Sequence, residues 1–362
     1  MEQESCNITD SNDLTYILIG TLIGIGLFSL PNDVVASAKQ DGWLSVMIGG
    51  VYPLFAVFVS GIIIRKYPND SILVLSRKYM GKIIGNVFNF IYMMGFWLII
   101  VSITSGLSHL IQIYGVSFMS HTKICSIAVM LAGYGAYKGI NVLGRINKYI
   151  FFLILMLILL SITALKYGRI LNVQPVFGSG FVNILKSAKE TFYSYALLEV
   201  VLVLHPFVKD KKGIIKSALK AVLITILIYT WVVFITIYFL GIDIIPKSFW
   251  SFIMVTESVQ IPIVNNFRFI FMFLWLLAIF RIISNIYFVI SLILSDLTKI
   301  DRKKVCIFIY PIIFYLSTRF QNQIVRKDFL DKWVLFAVAF NIAYISIIAV
   351  FTGLDKKKPS SR

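Results

Sequence analysis

Long uncharged stretches recur along this chain of 362 residues, each about long enough to cross a bilayer as a helix. Charged residues make up 14% of the chain, where soluble globular proteins carry about 25%. The sequence therefore predicts an all-α integral membrane protein with ten transmembrane helices. The predicted spans are 14–32, 43–64, 83–114, 124–137, 149–165, 191–208, 221–242, 267–295, 305–318 and 333–354.

The formal charge of +17 comes mostly from short connections between these spans. Placing both termini in the cytoplasm puts the larger share of the 34 lysines and arginines on that side, as the positive-inside rule requires. The charge thus has a membrane explanation, and nucleic-acid binding is not expected. No lysine or arginine precedes the first span, so we expect no cleaved signal peptide.

Catalytic and metal-binding patterns are absent from the sequence. The three cysteines and three histidines show no CxxC or HxxxH spacing, which argues against a zinc site or a disulfide framework. There is no phosphate-binding loop, nucleophile elbow or pair of catalytic carboxylates. We expect no cofactor, no metal and no enzymatic activity.

Ten spans divide into five plus five, and the odd number reverses the orientation of the second half. This is the arrangement of an inverted-topology repeat, in which discontinuous helices carry the site near the membrane midplane. We predict one membrane domain over 1–362, with repeats at about 14–165 and 191–354. The segment 242–266 is too polar to span, and we expect it to lie as an outer loop across the extracellular mouth.

The run 20–31 is unusual for a membrane helix because it carries Gly24 and Gly26 near its middle, on either side of Ile25. An interior glycine weakens a helix by about 1 kcal/mol relative to alanine. Backbone groups freed by a break are tolerated in a membrane only beside protein or a polar cavity. The run is therefore either a broken helix that lines a small-molecule site or a small-residue surface for close helix packing.

The sixth span, 191–208, is the counterpart of the first, but it contains no glycine and no proline before Pro206, so no break is visible in it. It carries Glu199, and a carboxylate at membrane depth should face the bundle interior. Glu199 is interpreted either as a ligand, proton or coupling contact or as a structural hydrogen-bond acceptor. The phenols of Tyr193 and Tyr195 are candidates to gate or bind a ligand beside it.

Arg281 falls in the middle of the eighth span and cannot practically lose its charge, so it needs a carboxylate, backbone carbonyls or an aqueous cavity. Three interpretations stay open. It forms an ion pair with Glu199, it stands between the first and eighth helices where related folds hold a cation, or it is solvated in a polar crevice. His109 and His205 are interpreted as packing or helix-end residues.

Short patches of sequence, spread over nearly the whole chain, follow a recognisable order. They are Gly24-Ile-Gly-Leu-Phe-Ser-Leu-Pro31, Gln40-Asp41-Gly-Trp43, Arg65-Lys-Tyr-Pro68, Gly81-Lys-Ile-Ile-Gly85, Tyr137-Lys-Gly139 through Arg145, the Pro175 loop, Glu199 with Pro206, and Arg268 ahead of Trp275. With these patches the chain resembles the B subunits of spore germinant receptors, which are related to amino-acid permeases. The Gln-Asp-x-Trp patch is the most specific of them.

The resemblance implies a permease-like fold of the leucine-transporter type in the inner spore membrane. It also implies assembly with an A subunit and a lipoprotein C subunit, and sensing of a nutrient, typically an amino acid, that triggers germination. The run 24–26 and Glu199 fall at the family's ligand region. The chain departs from the family in lacking glycine or proline just before Glu199, and in having Ser105 and His109 where an acidic residue is common. Arg281 is also unusual for the family.

The leading hypothesis is therefore a germinant receptor B subunit that binds a small zwitterion between its first and sixth helices. The alternative is a proton-coupled amino-acid permease, and a third possibility is a channel for water or ions. One fold serves all of these functions, so the fold cannot separate them.

Overall fold

The computed structural model describes residues 9–258 and 267–355. Within these ranges the chain is helical, with no strand and one parallel bridge between Thr9 and Val208. In chain order the α-helices are α1 (Ser11–Leu22), α2 (Gly26–Ala38), α3 (Gly42–Gly49), α4 (Val51–Lys66), α5 (Ile72–Met80), α6 (Lys82–Tyr114), α7 (His121–Lys138), α8 (Ile140–Leu160), α9 (Phe181–Ala188), α10 (Phe192–Tyr195), α11 (Val201–Leu204), α12 (Ile214–Leu240), α13 (Ser251–Val255), α14 (Phe267–Thr298), α15 (Arg302–Ser317) and α16 (Gln323–Leu354).

Six helical stretches in the described ranges are long and apolar enough to cross a membrane. They are Gly26–Lys66, Lys82–Tyr114, Ile140–Lys166, Ile214–Leu240, Phe267–Thr298 and Gln323–Leu354. The chain is therefore an integral membrane protein. The count of ten spans stays a prediction, because length and composition single out only these six.

Helix α14 lies in the middle of the bundle, in contact with α1, α6, α7, α8 and α15. All its side chains from Arg281 to Ile293 are buried. A helix that is buried on all sides has no polar face to turn outward, which explains its nearly continuous apolar sequence. The few polar side chains in it must therefore find partners inside the protein.

Helix α16 begins well before the predicted span 333–354. Its first turn is capped by Asn322, whose side-chain oxygen accepts hydrogen bonds from the backbone N–H groups of Ile324 at 2.8 Å and Val325 at 3.4 Å. An asparagine cap supplies acceptors that the first helical turn lacks. Hydropathy marks the apolar part of a helix, whereas the cap determines where the helix starts.

The segment predicted as an outer loop, 242–266, is described as far as Ser258, and its remainder lies outside the described residues. It contains α13 and two short 3-10 turns. Asn32 of α2 fastens it, because its side-chain amide donates to the carbonyl of Ile245 at 2.7 Å and its oxygen accepts from the Ser251 hydroxyl at 2.8 Å. These bonds hold one end of the bundle closed over α2.

Candidate functional site

The first helical segment is broken between Leu22 and Gly26, where the glycine-rich run predicted a break. Ile23 has an extended backbone, with φ −82° and ψ 104°. Within the described part of the chain, the backbone N–H groups of Gly24, Ile25 and Gly26 donate no hydrogen bond. These three donors lie at the N-terminus of the 13-residue helix α2, a position that favours negative charge.

The sixth segment is also broken, although its sequence gives no sign of it. Helix α10 ends at Tyr195, and Leu197 follows in the left-handed region with φ 85°. A left-handed L-residue costs about 1–2 kcal/mol, which is why glycine usually occupies such positions. The Leu197 side chain is buried, so packing offsets the cost of its backbone conformation. Sequence reasoning relied on glycine and proline and therefore missed this break.

The two breaks meet where Gly26 approaches α10. A Cβ atom added to Gly26 would lie 3.1 Å from Cε1 of Tyr193 and 3.2 Å from the Ser194 hydroxyl. A Cβ added to Gly24 would lie 2.9 Å from Cδ1 of Ile282 on α14. Close approach thus explains both glycines. The structure places Gly26 against Tyr193 and Gly24 against Ile282, and their part in a ligand site stays a prediction.

Tyr229 of α12 joins the two broken segments, and sequence reasoning missed it. Its hydroxyl lies 2.7 Å from the carbonyl oxygen of Leu22, the last residue of α1, and 3.1 Å from that of Ser194 in α10. Carbonyls at the end of a helix have no partner within that helix. Only the position of Tyr229 distinguishes it from the chain's 17 other tyrosines, and position along an apolar helix carries too little signal in one sequence.

Glu199 lies just after the second break and is fully buried. Its Oε1 accepts a hydrogen bond from the hydroxyl of Tyr52 on α4, and its backbone carbonyl accepts one from the hydroxyl of Tyr92 on α6 at 2.9 Å. Its Oε2 has no hydrogen-bond partner among the described residues. One carboxylate oxygen is therefore uncommitted, which suits contact with an ammonium group or a proton.

Tyr195 differs from Tyr193 in its surroundings. Its hydroxyl donates to the carbonyl of Val46 at 3.1 Å, and its ring packs against Tyr229 with centroids 5.2 Å apart. Tyr193 instead has its hydroxyl 3.4 Å from that of Ser102 on α6. Tyr193 is thus the phenol that faces the first break, while Tyr195 ties α10 to α3.

The structure does not bring Arg281 to Glu199. No ion pair joins them. One Glu199 oxygen accepts the Tyr52 hydroxyl, and the Arg281 guanidinium has no hydrogen-bond partner among the described residues. Arg281 instead lies against α1, where its Cδ is 3.3 Å from the Cβ that Gly20 lacks. This position lies between the first segment and α14.

His109 and His205 each place a ring nitrogen against a backbone carbonyl, at 2.9 and 3.2 Å.

The start of the first broken segment is bonded to the end of the sixth. The Thr9 N–H donates to the Phe207 carbonyl at 3.0 Å, and the Lys209 N–H donates to the Thr9 carbonyl at 3.0 Å. The Lys211 ammonium caps the carbonyls of His205 and Pro206, at 3.0 and 2.7 Å. Burial lowers the pKa of Lys211. The Thr9 bonds fix the start of the first segment to the end of the sixth.

Asp41, which belongs to the Gln-Asp-x-Trp patch, makes a second connection between distant segments, at the opposite end. Its carboxylate accepts hydrogen bonds from the backbone N–H groups of Phe177 and Ser179, both at 2.8 Å, and from the Ser179 hydroxyl at 2.7 Å. Three bonds to one carboxylate hold the loop before α9 against the turn that follows α2. The specificity of this sequence patch thus has a structural reason.

A separate cleft lies elsewhere, lined mainly by α6, α15 and α16. It has a volume of about 710 Å³ and is lined almost entirely by apolar side chains, among them Trp97, Phe329 and Phe336. Such a lining suits lipid tails rather than a zwitterion, which needs polar partners. The cleft therefore does not compete with the helix breaks as a nutrient site.

The two broken segments around a central α14 define a permease fold of the leucine-transporter type. The solved structure of MhsT in complex with L-phenylalanine has a TM-score of 0.68 to this chain, covering 94% of it and 98% of MhsT at 14% identity. That likeness shows the fold. Residues 9–325 match the family described as spore germination protein, and the chain belongs to this family.

Curated relatives agree with this assignment. Spore germination protein YndE of Bacillus subtilis is 24% identical over 85% of this chain and 86% of its own length. Spore germination protein GerQB of Bacillus cereus is 22% identical over 88% of both chains. The branched-chain amino acid permease BcaP of Bacillus subtilis matches 65% of this chain and 54% of its own length at 21% identity. The family and these relatives are germination proteins and a permease, not enzymes.

Proposed function

We propose that this protein is the B subunit of a spore germinant receptor, which senses a small nutrient amino acid between its first and sixth helical segments and thereby triggers germination. One observation carries the proposal: the two breaks face each other. Among the described residues, the N–H groups at 24–26 on one break donate no hydrogen bond, and Glu199 beside the other has one oxygen without a partner. The amides suit a carboxylate and Glu199 suits an ammonium group. A zwitterion needs both.

Binding must favour one conformation if it is to send a signal. Hydrogen bonds join distant segments at both ends of the bundle, Thr9 with Phe207 at one end and Asp41 with Ser179 at the other. A ligand between the breaks would favour opening or closure at one of these ends. The A and C subunits of the receptor would read that change in the inner spore membrane, with the termini of this chain in the cytoplasm.

The test is germination of spores that carry variants of this chain, triggered by a mixture of amino acids. Loss of a charge-assisted hydrogen bond costs about 1.5–3 kcal/mol, so Glu199→Gln should raise the half-maximal concentration at least about tenfold. The matched control is Glu190→Gln, because Glu190 precedes the same break but has an exposed side chain. Wild-type sensitivity in Glu199→Gln spores would overturn the proposed site.

The second candidate is a proton-coupled amino-acid permease, which the match to BcaP and the fold favour. It predicts that purified protein in proteoliposomes accumulates labelled amino acids when a pH gradient is imposed, and that Glu199→Gln abolishes this accumulation. If the protein binds an amino acid but does not accumulate it, the permease hypothesis is excluded and the receptor hypothesis stands.

A further inference from the structure

Arg281 is a buried charge that has no hydrogen-bond partner among the described residues. Its side chain is fully buried in the centre of the bundle, and a guanidinium keeps its proton in proteins. Its Nε, Nη1 and Nη2 atoms make no hydrogen bond with any residue that the structure describes. An unpaired charge in a buried site costs several kcal/mol, so this guanidinium calls for a compensating negative group.

The groups around Arg281 are neutral. Gly20 of α1 lies against its Cδ, and Asn147 of α8 approaches the same glycine. One helical turn along α14, Asn285 exchanges hydrogen bonds with Asn147, at 2.9 and 3.0 Å. The titratable side chain that acts on Arg281 is Tyr229, a neutral phenol whose hydroxyl is committed to backbone carbonyls. No carboxylate therefore compensates its charge in the described part of the chain.

Two other buried arginines show what a structural role looks like in this protein. Arg302 donates from Nη1 to the carbonyl of Ala136 at 2.9 Å, and Arg326 donates from Nη1 to the carbonyl of Ser102 at 3.2 Å. If Arg281 only neutralised the carbonyl end of α1, its N–H groups would donate to those carbonyls in the same way. The Leu22 carbonyl takes the Tyr229 hydroxyl instead.

We propose that Arg281 forms a binding site for a small monovalent anion, either the carboxylate of the nutrient or an inorganic halide such as chloride. A guanidinium offers several N–H donors in a planar fork, which binds a carboxylate with two bonds. The N–H groups of 24–26, which donate no hydrogen bond within the described residues, follow Gly20 in the same broken segment. The carboxylate alternative rests on the proposed function, whereas the halide alternative does not.

The experiment measures the thermal unfolding midpoint of the purified full chain in detergent, with sodium and ionic strength held constant. A bulky organic sulfonate, which carries no carboxylate, is replaced stepwise by chloride or by acetate. An anion that binds only the folded protein stabilises it by RT ln(1 + [L]/Kd), so the midpoint should rise with a saturable dependence on concentration. A rise with acetate alone identifies a carboxylate site, and a rise with chloride identifies a halide site.

Variants locate the effect. Arg281→Gln should abolish the rise of the midpoint. Arg281→Lys keeps the charge but loses the planar fork, so it should raise the apparent Kd for acetate about tenfold or more. Arg302→Gln is the matched control and should keep the full response, because its guanidinium is bonded to a carbonyl. If Arg281→Gln does not fold, the response of the Arg281→Lys midpoint to acetate tests the site.

Two results would overturn the anion site. One is a wild-type midpoint that is the same in all three salts, and the other is an unchanged response in the Arg281 variants. Neither result depends on amino-acid binding or germination, so a failure of the proposed function remains distinguishable from a failure of this site.

Discussion

The hydroxyl of Tyr229 lies 2.7 Å from the carbonyl oxygen of Leu22, at the point where the first helical segment ends. The same hydroxyl lies 3.1 Å from the carbonyl of Ser194 in the sixth segment. One phenol thus satisfies the end of one broken helix and touches the other. The two breaks, which are far apart in the sequence, therefore depend on a single residue of α12.

Tyr229→Phe should destabilise the protein and separate the breaks. Removing the hydroxyl takes away the donor to the buried Leu22 carbonyl, at a cost of about 1–3 kcal/mol. The measurement is the unfolding midpoint together with amino-acid binding. Tyr16→Phe is the control, because the Tyr16 hydroxyl makes no hydrogen bond in the described ranges and its ring packs against Phe151. An equal effect of both substitutions would contradict the bridging role.

Gly26→Ala should impair nutrient sensing more than stability. The added methyl group would lie 3.1 Å from the Tyr193 ring, so the two breaks must move apart by a few tenths of an ångström. We expect the half-maximal nutrient concentration for germination to rise several-fold.

The control for that prediction is Gly61→Ala in α4. A methyl group there would meet Ile215 at 3.6 Å, which is ordinary van der Waals contact. Alanine is a better helix former than glycine by about 1 kcal/mol, so Gly61→Ala should be neutral or stabilising. Normal sensitivity in Gly26→Ala spores would show that the approach to Tyr193 has no role in sensing.

Asn147 and Asn285 should be energetically coupled. Each amide donates to the oxygen of the other, at 2.9 and 3.0 Å, and the pair ties α8 to α14. Each single alanine variant leaves a buried amide without its partner, whereas the double variant removes both. A double-mutant cycle on unfolding free energies should therefore give a coupling of about 0.5–3 kcal/mol, and strict additivity would refute the coupling.

Asp41→Asn should loosen the loop that precedes α9. The carboxylate accepts three hydrogen bonds from Phe177 and Ser179, and an amide side chain accepts fewer and weaker ones. Hydrogen exchange at these two backbone amides should accelerate about tenfold or more. Asp243→Asn, an exposed acidic residue at the same end, should leave both rates unchanged.

The first break could be read from the sequence, but the second could not. Gly24 and Gly26 predict a departure from helical geometry, because glycine is the residue that tolerates such a departure best. Leu197 adopts a left-handed backbone with no such signal. Its conformation is held by packing around a buried leucine, and packing arises only when distant segments meet. The Gln-Asp-x-Trp patch was similarly visible as a pattern, yet the loop that Asp41 binds was not.

Hydropathy and the placement of charge determined by themselves that this chain lies in a membrane, since a bilayer selects for length and apolarity along the chain. They also marked Glu199 and Arg281 as residues that need partners, because buried charge is costly in any fold. The tertiary structure alone decided what those partners are. It placed Tyr52 on Glu199, kept Arg281 away from Glu199, and brought Tyr229 to both breaks. Hydrogen bonds act over about 3 Å, and residues far apart in sequence come that close only through the packing of whole helices.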